Sequence, residues 1–345
     1  MAVILNVFLG KSRGGIEVVT TDYAKAFASL GHQSYLLSAN GRDYVDYLKQ
    51  SGLPLKLLAG RNINPFTLLQ FIFFLKKLKP DVVFLHATRA VSVGTSWYIS
   101  KLFPKVKFIG ISHGVADRRY KKLKYAVAIT DSLSRRFKRW HIPHIYSCPN
   151  MTVIKPFREQ APRHTPIVIG SMGRLSPSKG FDILIAAANI LKEKGIDFKL
   201  KLAGFSAEDC KSLINTAKIA DNLEIAGWIT DKEAFYDRID IYVSASRVES
   251  FGLTIIEAMA HSVPVIASDT VGAGNIISSG TDGFLVPRKK TKKLAEAIYN
   301  LSTANEETFT AIRTAGYNKA KEKYNLAKLP EVLNTILADI LTVKA

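Results

Sequence analysis

Apolar residues fall along this chain in two alternating kinds of run. Short continuous runs such as Val3–Leu9, Val82–His86 and Phe108–Ser112 are bounded by glycine, proline or polar residues, as buried parallel strands are. Between them lie longer stretches with apolar residues at helical spacing. Ile16–Leu30 stops at Gly31, and Phe66–Leu78 stops at Lys79-Pro80. The same reading predicts strands at Ser34–Ser38, Leu55–Leu58 and Val127–Thr130, a helix over Thr95–Leu102, and another capped by Asp131-Ser-Leu. Lys155 to Thr165 is polar and proline-bearing and reads as a linker. The alternation then restarts with a strand at Ile167–Met172 and a helix at Phe181–Lys194. Strands at Leu200–Ala203, Leu223–Ala226, Ile239–Val243 and Pro264–Ser268 follow, and helices at Lys292–Ser302, Glu306–Lys323 and about Leu326–Leu341. Such alternation, twice over, predicts two doubly wound α/β domains. The expected domains are 1–155 and 166–325, with 326–345 a terminal helix able to pack back on the first.

Composition fits a chain of that kind: 345 residues, 47% hydrophobic and 22% charged, enough for two buried cores. Cys148 and Cys210 form no metal or redox spacing, so a reducing compartment is expected. The opening run Ala2–Leu9 lacks the basic flank and cleavage site of a signal peptide, and no apolar stretch reaches the roughly 20 residues of a membrane span. A cytoplasmic location follows as an expectation. The charge is lopsided. Of a net +19, residues 1–155 hold +17 (24 Lys and Arg, 7 Asp and Glu) and residues 156–345 only +2. The excess gathers at Arg118-Arg119, Lys121-Lys122, Lys124, Arg135-Arg136 and Lys138-Arg139. A solvated surface is the usual fate of such runs. An excess this one-sided points further, to phospholipid headgroups, a phosphorylated glycolipid or nucleic acid.

The chemistry concentrates in Glu249-Ser-Phe-Gly-Leu-Thr-Ile-Ile-Glu257, between a predicted strand and a predicted helix. Gly252 lets backbone come close to a ligand, and the free amides of the new helix with its dipole suit a phosphate. Glu257, in the first turn, can accept hydrogen bonds from a vicinal diol such as a ribose. Glu249, on the loop side, lies where a sugar beyond the diphosphate would sit. Anion, diol and sugar in one line describe a nucleotide-sugar. Open α/β sheets bind ligands at the carboxyl ends of strands, and three more loops there carry candidates. Gly173-Arg174 and Lys179-Gly180 flank one strand-to-helix turn and bring two cations to a helix start. Gly14-Gly15 ends the first strand-loop, and His113 follows the strand Phe108–Ser112.

The filling of the Glu-x7-Glu spacing, from Ser246 to Asp269, resembles the signature of glycosyltransferase family 4. That resemblance implies an α/β fold of the GT-B type: two Rossmann-like doubly wound domains facing a central cleft. It implies that Arg174 and Lys179 clamp the diphosphate, and that Ser250, Phe251, Gly252, Leu253 and Glu257 hold the nucleotide. Gly14 and Gly15 would meet donor phosphate through their backbone, while His113 and Glu249 hold sugar hydroxyls. It further implies retention by a same-face path in which the departing phosphate takes the acceptor's proton. Asn275 stands where a glutamate is common in the family, which leaves details around the nucleotide or sugar open.

Other chemistries lose their support. Gly10-Lys11-Ser12 looks like half a Walker A loop, but Leu5 stands where that loop requires glycine, and no Gly-x-Gly-x-x-Gly follows a strand. The chain contains no Asp-x-Asp pair to hold a divalent cation against a diphosphate. The expectation is therefore a metal-independent glycosyltransferase without cofactor. It would move a hexose or N-acetylhexosamine from a nucleotide-sugar, foremost a UDP-sugar, to an anionic glycan or glycolipid such as lipopolysaccharide core. A GT-B-fold nucleotide-sugar epimerase and a basic nucleic-acid-binding protein are the alternatives; the second lacks interleaved stacking aromatics, so no nucleic acid is expected. Peripheral contact with the inner face of the cytoplasmic membrane is expected through the basic cluster at 118–139, where Arg135, Arg136, Lys138 and Arg139 share a helix with Phe137 and Trp140. The helix starting at Phe66 is apolar on nearly every face, which suits a buried helix better than an interfacial one.

Overall fold

Parallel strands covered on both faces need apolar side chains on both, and Ile4, Leu5, Val7 and Phe8 are accordingly all buried in the first strand. The structure, a computed structural model, describes residues 1–10, 14–60, 64–114, 117–158, 163–215, 217–229 and 231–343. Lys11 and Ser12 of the half Walker A loop, and 159–162 of the expected linker, lie outside the described residues. The chain divides into two units, Met1–Asn150 with Ala327–Ala345, and Met151–Leu326.

In the first unit, β1 (Val3–Phe8), α1 (Ile16–Ser29), β2 (Gln33–Ala39), α2 (Val45–Lys49) and β3 (Leu55–Leu58) lead to one edge of the sheet. The chain then crosses through α3 (Pro65–Leu78) to β4 (Val82–His86), α4 (Ala87–Gly94), α5 (Trp97–Leu102), β5 (Lys107–Ser112), β6 (Tyr125–Ala128), α6 (Asp131–Arg139) and β7 (His144–Ser147). The seven-stranded order is β3-β2-β1-β4-β5-β6-β7, parallel throughout. Right-handed crossovers put connections that step toward β3 on one sheet face and those that step toward β7 on the other. Thus α1 and α2 share one face, and α3, α4, α5 and α6 share the opposite one.

The second unit runs β8 (Ile167–Met172), α7 (Phe181–Glu193), β9 (Phe198–Ala203), α8 (Lys211–Asn215), β10 (Leu223–Ile225), α9 (Lys232–Tyr236), β11 (Ile241–Ser244), α10 (Leu253–Ala260), β12 (Val265–Ser268), α11 (Val271–Ile276), β13 (Phe284–Val286), α12 (Thr291–Ser302) and α13 (Glu306–Lys323). Its order is β10-β9-β8-β11-β12-β13. Its core joins Leu184, Leu200, Val243 and Ile266 with Leu294 and Ile298 of α12. The last helix, α14 (Leu329–Thr342), belongs to the first unit and packs on α1. Tyr146 donates to Asp339 of that helix at 2.5 Å.

Four details differ from the sequence reading. Lys155 and Arg158 of the expected linker are bonded into the second unit, the Lys155 amide to Ala260 O at 3.2 Å and Arg158 Nε to His261 O at 3.1 Å. The helix α4, which was not anticipated, starts directly from β4 through Ala87 at φ 71°, with no connecting residue between strand and helix. Phe137 is fully buried and stacks on Tyr120 at 5.6 Å, so it is a core residue and not a membrane contact. Conversely α3 is not a buried helix: only part of it faces the sheet, and Phe66, Leu69 and Phe73 are exposed. Among the described residues no helix is long and apolar enough to cross a membrane.

One glycine constrains the second unit strongly. Gly180 has φ 68°, and a Cβ there would lie 2.1 Å from Ala245 O at the end of β11. Gly180→Ala is therefore expected to destabilise the second unit by about 1–3 kcal/mol. Urea unfolding followed by circular dichroism checks this; a midpoint equal to wild type would contradict it.

Candidate active site

In both sheets the order reverses next to the first strand, at β1/β4 and at β8/β11, and there neighbouring loops diverge and leave room for a ligand. In the second unit the loop after β8 carries Arg174 and Lys179 into α7, and the loop after β11 carries Glu249 into α10. Gly180 and Gly252, at φ 68° and 106°, cap the two helices without a side-chain hydrogen bond. Two uncapped helix amino ends thus lie on adjacent strands, both with the positive end of the dipole at the reversal.

Arg247 fastens the two loops together. Its amide donates to Ser178 O at 2.7 Å, its guanidinium to Pro177 O at 2.7 Å and to Asp182 at 2.8 Å. That guanidinium holds the Asp182 carboxyl below its usual range. Lys179 Nζ sits 2.6 Å from Glu249 Oε2, so two candidates expected to serve phosphate and sugar separately are paired with one another. Arg174 is exposed. Phe251 is buried edge-on against Tyr324 at 5.9 Å, which leaves only its backbone for a ligand. Ser250 and Leu253 are half-buried beside it.

Glu257 is buried, and a buried carboxylate needs partners. Lys232 Nζ meets its Oε1 at 2.5 Å, and the Tyr236 hydroxyl donates to its Oε2 at 3.0 Å. Burial first, then the Glu257 charge, push the Tyr236 phenol well above its ordinary range, so it remains a donor. Sequence reasoning missed both partners. They sit on the short helix α9, whose spacing from Glu257 in the chain carries no signal. Asn275, on α11, donates to Val271 O of its own helix at 2.5 Å.

The first unit presents a different picture. The Gly14 and Gly15 amides, expected to meet phosphate, both donate to the carboxylate of Glu17 at 2.9–3.1 Å. Glu17 is itself buried, so an internal anion already occupies that turn. His113, one edge open to solvent, stacks on buried His86 with ring planes 9° apart and Nε2 3.1 Å from His86 Nδ1. Asn6 Nδ2 reaches Ser34 Oγ at 3.4 Å, which turns its Oδ1 toward His86 Nε2 at a long 3.5 Å. Either ring can donate across the His86–His113 contact; with Asn6 Oδ1 accepting from His86 Nε2–H the donor is His113 Nε2–H, and the lone pair of His113 Nδ1 would then face a ligand hydroxyl. Burial depresses His113 to about 3, and burial together with His113 lowers His86 as well.

Residues 13–154 match the model of Glycosyltransferase Family 4, and residues 154–319 that of Glycosyl transferases group 1. The chain belongs to glycosyltransferase family 4. It is 26% identical over 202 residues to the putative colanic acid biosynthesis glycosyltransferase WcaL of Escherichia coli (strain K12), a match covering 56% of this chain and 48% of that one. It is 29% identical over 185 residues to the lipopolysaccharide core biosynthesis mannosyltransferase LpcC of Rhizobium leguminosarum bv. viciae, covering 50% and 52%. The chain spans about half the length of these curated relatives. Its fold is similar to that of Anabaena Alr3699/HepE, solved in complex with UDP and glucose, with a TM-score of 0.83 and 17% identity over 98% of this chain and 100% of that one. The architecture is GT-B.

The histidine pair has a measurable pH consequence. Below pH 6.5 the unfolded chain binds protons that folded His113 and His86 exclude, so stability should fall as pH drops from 6.5 toward 3. Each group contributes a slope of up to about 1.4 kcal/mol per pH unit. In His113→Gln, which keeps a donor for His86, this acid-side slope should shrink in urea titrations at stepped pH. Equal slopes in the two proteins would remove His113 from the account.

Proposed function

We propose that the chain is a retaining, metal-independent glycosyltransferase that moves a hexose or N-acetylhexosamine from a nucleotide-sugar, foremost a UDP-sugar, to an anionic glycan or glycolipid. The observation that carries this reading is the pair of helix starts without a side-chain cap at β8/β11, with Lys179 and Glu249 beside them and Glu257 one turn into α10. Two backbone dipoles and the Lys179 and Arg174 side chains suit a diphosphate whose charge grows as the glycosidic bond breaks. Glu257 has each oxygen engaged once, by Lys232 and by Tyr236. A carboxylate oxygen accepts more than one hydrogen bond, so capacity remains for a ribose diol. When diphosphate arrives, Lys179 exchanges Glu249 for phosphate, and Glu249 becomes available to sugar hydroxyls. His113 Nδ1 accepts from another hydroxyl as a neutral base. The departing phosphate takes the acceptor proton on the same face, so retention needs no enzyme nucleophile.

The relatives' names support the acceptor class: colanic acid biosynthesis for one and lipopolysaccharide core for another. The +17 charge of residues 1–155 supports an anionic acceptor presented at an anionic membrane surface on the cytoplasmic side.

Calorimetry and steady-state kinetics test the site, after a thermal-shift panel of UDP-, GDP- and ADP-sugars selects the donor. Glu257→Ala should weaken free nucleotide and intact donor by the same factor, about ten- to a hundredfold, because a ribose contact is alike in ground and transition states. Arg174→Ala and Lys179→Ala should instead lower turnover, by about a hundredfold each. Full turnover in the double variant would sink the clamp. In a separate assay, turnover should persist in excess EDTA; loss with chelator and rescue by Mn²⁺ would overturn metal independence.

A further inference from the structure

We infer that the outward ridge of α3, together with the exposed face of α5, inserts into an anionic lipid bilayer and fixes the first unit to it. This rests on the membrane reading above and locates it in side chains other than the basic helix α6.

At 100° per residue, Phe66, Leu69, Phe73, Lys76 and Lys77 fall on one strip of α3, while Phe71 and Leu75 point to the sheet and are buried. The ridge residues Phe66, Leu69 and Phe73 are 59%, 63% and 56% exposed. Single exposed apolar residues are ordinary, but three in register on two turns form a continuous apolar edge. The strip ends in exposed lysines, with Lys77 Nζ 5.7 Å from the Phe73 ring. On α5, Trp97, Tyr98 and Leu102 are 64%, 61% and 53% exposed, and Lys101 Nζ lies 4.8 Å over the Trp97 ring. Apolar tips bordered by lysine ammonium groups, with Trp and Tyr among them, match the layering of acyl chain, headgroup and phosphate.

The sheet topology brings the charge to the same side. Crossover handedness puts α3, α4, α5 and α6 on one sheet face, and the connection from β5 to β6 holds exposed Arg118, Arg119, Lys121, Lys122 and Lys124. Exposed Arg135, Lys138 and Arg139 follow on α6. Of the seven acidic residues in 1–155, Glu17, Asp22, Asp43 and Asp46 belong to α1, α2 and the connection between β2 and β3, on the opposite side. Phe137 lies under Tyr120 and Trp140 is half-buried with Lys121 Nζ 6.0 Å from its ring, so α6 supplies attraction without an apolar anchor. A nucleic acid would use the cations but leave the apolar ridge in water.

The full chain is tested against vesicles of phosphatidylglycerol with phosphatidylethanolamine, and against pure phosphatidylcholine. Wild type should sediment with the anionic vesicles only. Phe66→Ser/Leu69→Ser/Phe73→Ser should lose binding at least tenfold, with unchanged melting temperature and unchanged nucleotide affinity. Changing Arg135, Arg136, Lys138 and Arg139 to Ser should weaken binding at low salt and matter little at high salt. In Leu69→Trp, made in a background where Trp97, Trp140 and Trp228 are replaced by Phe so that the new indole is the sole emitter, emission should shift blue and be quenched by lipids brominated near the headgroup. Equal binding of the triple variant, an unresponsive Leu69→Trp, or release of the protein from vesicles by single-stranded DNA with no indole response would each overturn the inference. Its failure is separable from that of the enzyme reading. Turnover of a UDP-sugar without vesicle binding sinks the inserted ridge alone, and ridge-dependent binding without turnover of any nucleotide-sugar sinks the enzyme alone.

Discussion

The reversal of strand order at β8/β11 is the constraint from which the candidate site follows. Neighbouring parallel strands there send their connections to opposite sheet faces, so the loops part above the sheet, and each helix starts from a glycine that offers no side-chain cap. Holding such loops apart is costly for a flexible chain. Gly180 pressed on Ala245 O, and Arg247 bonded across to Ser178, Pro177 and Asp182, supply the rigidity. Every candidate side chain in this unit is then a passenger on one of two braced loops or on the helix that begins there.

Electrostatic self-sufficiency accompanies that bracing. Glu249 lies against Lys179, Glu257 against Lys232 and Tyr236, and Glu17 against two amides. Each carboxylate has found a partner within the fold, as buried charge must. A ligand entering such a site trades existing contacts for its own, and the net affinity is a difference between two well-satisfied states.

Much of this was legible in the chain because it was local. Strand and helix alternate with residue patterns that decide each element on its own, and α13 (Glu306–Lys323) falls on the residues its spacing predicts. The loop after β11 could be read from Gly252 and the two flanking acids. What escaped was non-local. The partnership of Lys179 with Glu249 spans 70 residues, that of Lys232 with Glu257 spans 25, and that of His86 with His113 spans 27. No periodicity encodes such pairings, since each depends on which strands lie side by side. The α3 misreading has the same root. A helix apolar on several faces says how much surface wants cover, and only the neighbouring elements decide which face receives it.

The Glu17 carboxylate on the Gly14 and Gly15 amides carries a consequence for how that turn holds its shape. A turn that brings its own counter-ion keeps its shape whether or not a guest is present, and any incoming phosphate replaces one anion by another. The corner between β1 and α1 is thus fixed by a charge that the chain carries two residues further on, and its geometry is set from within the fold.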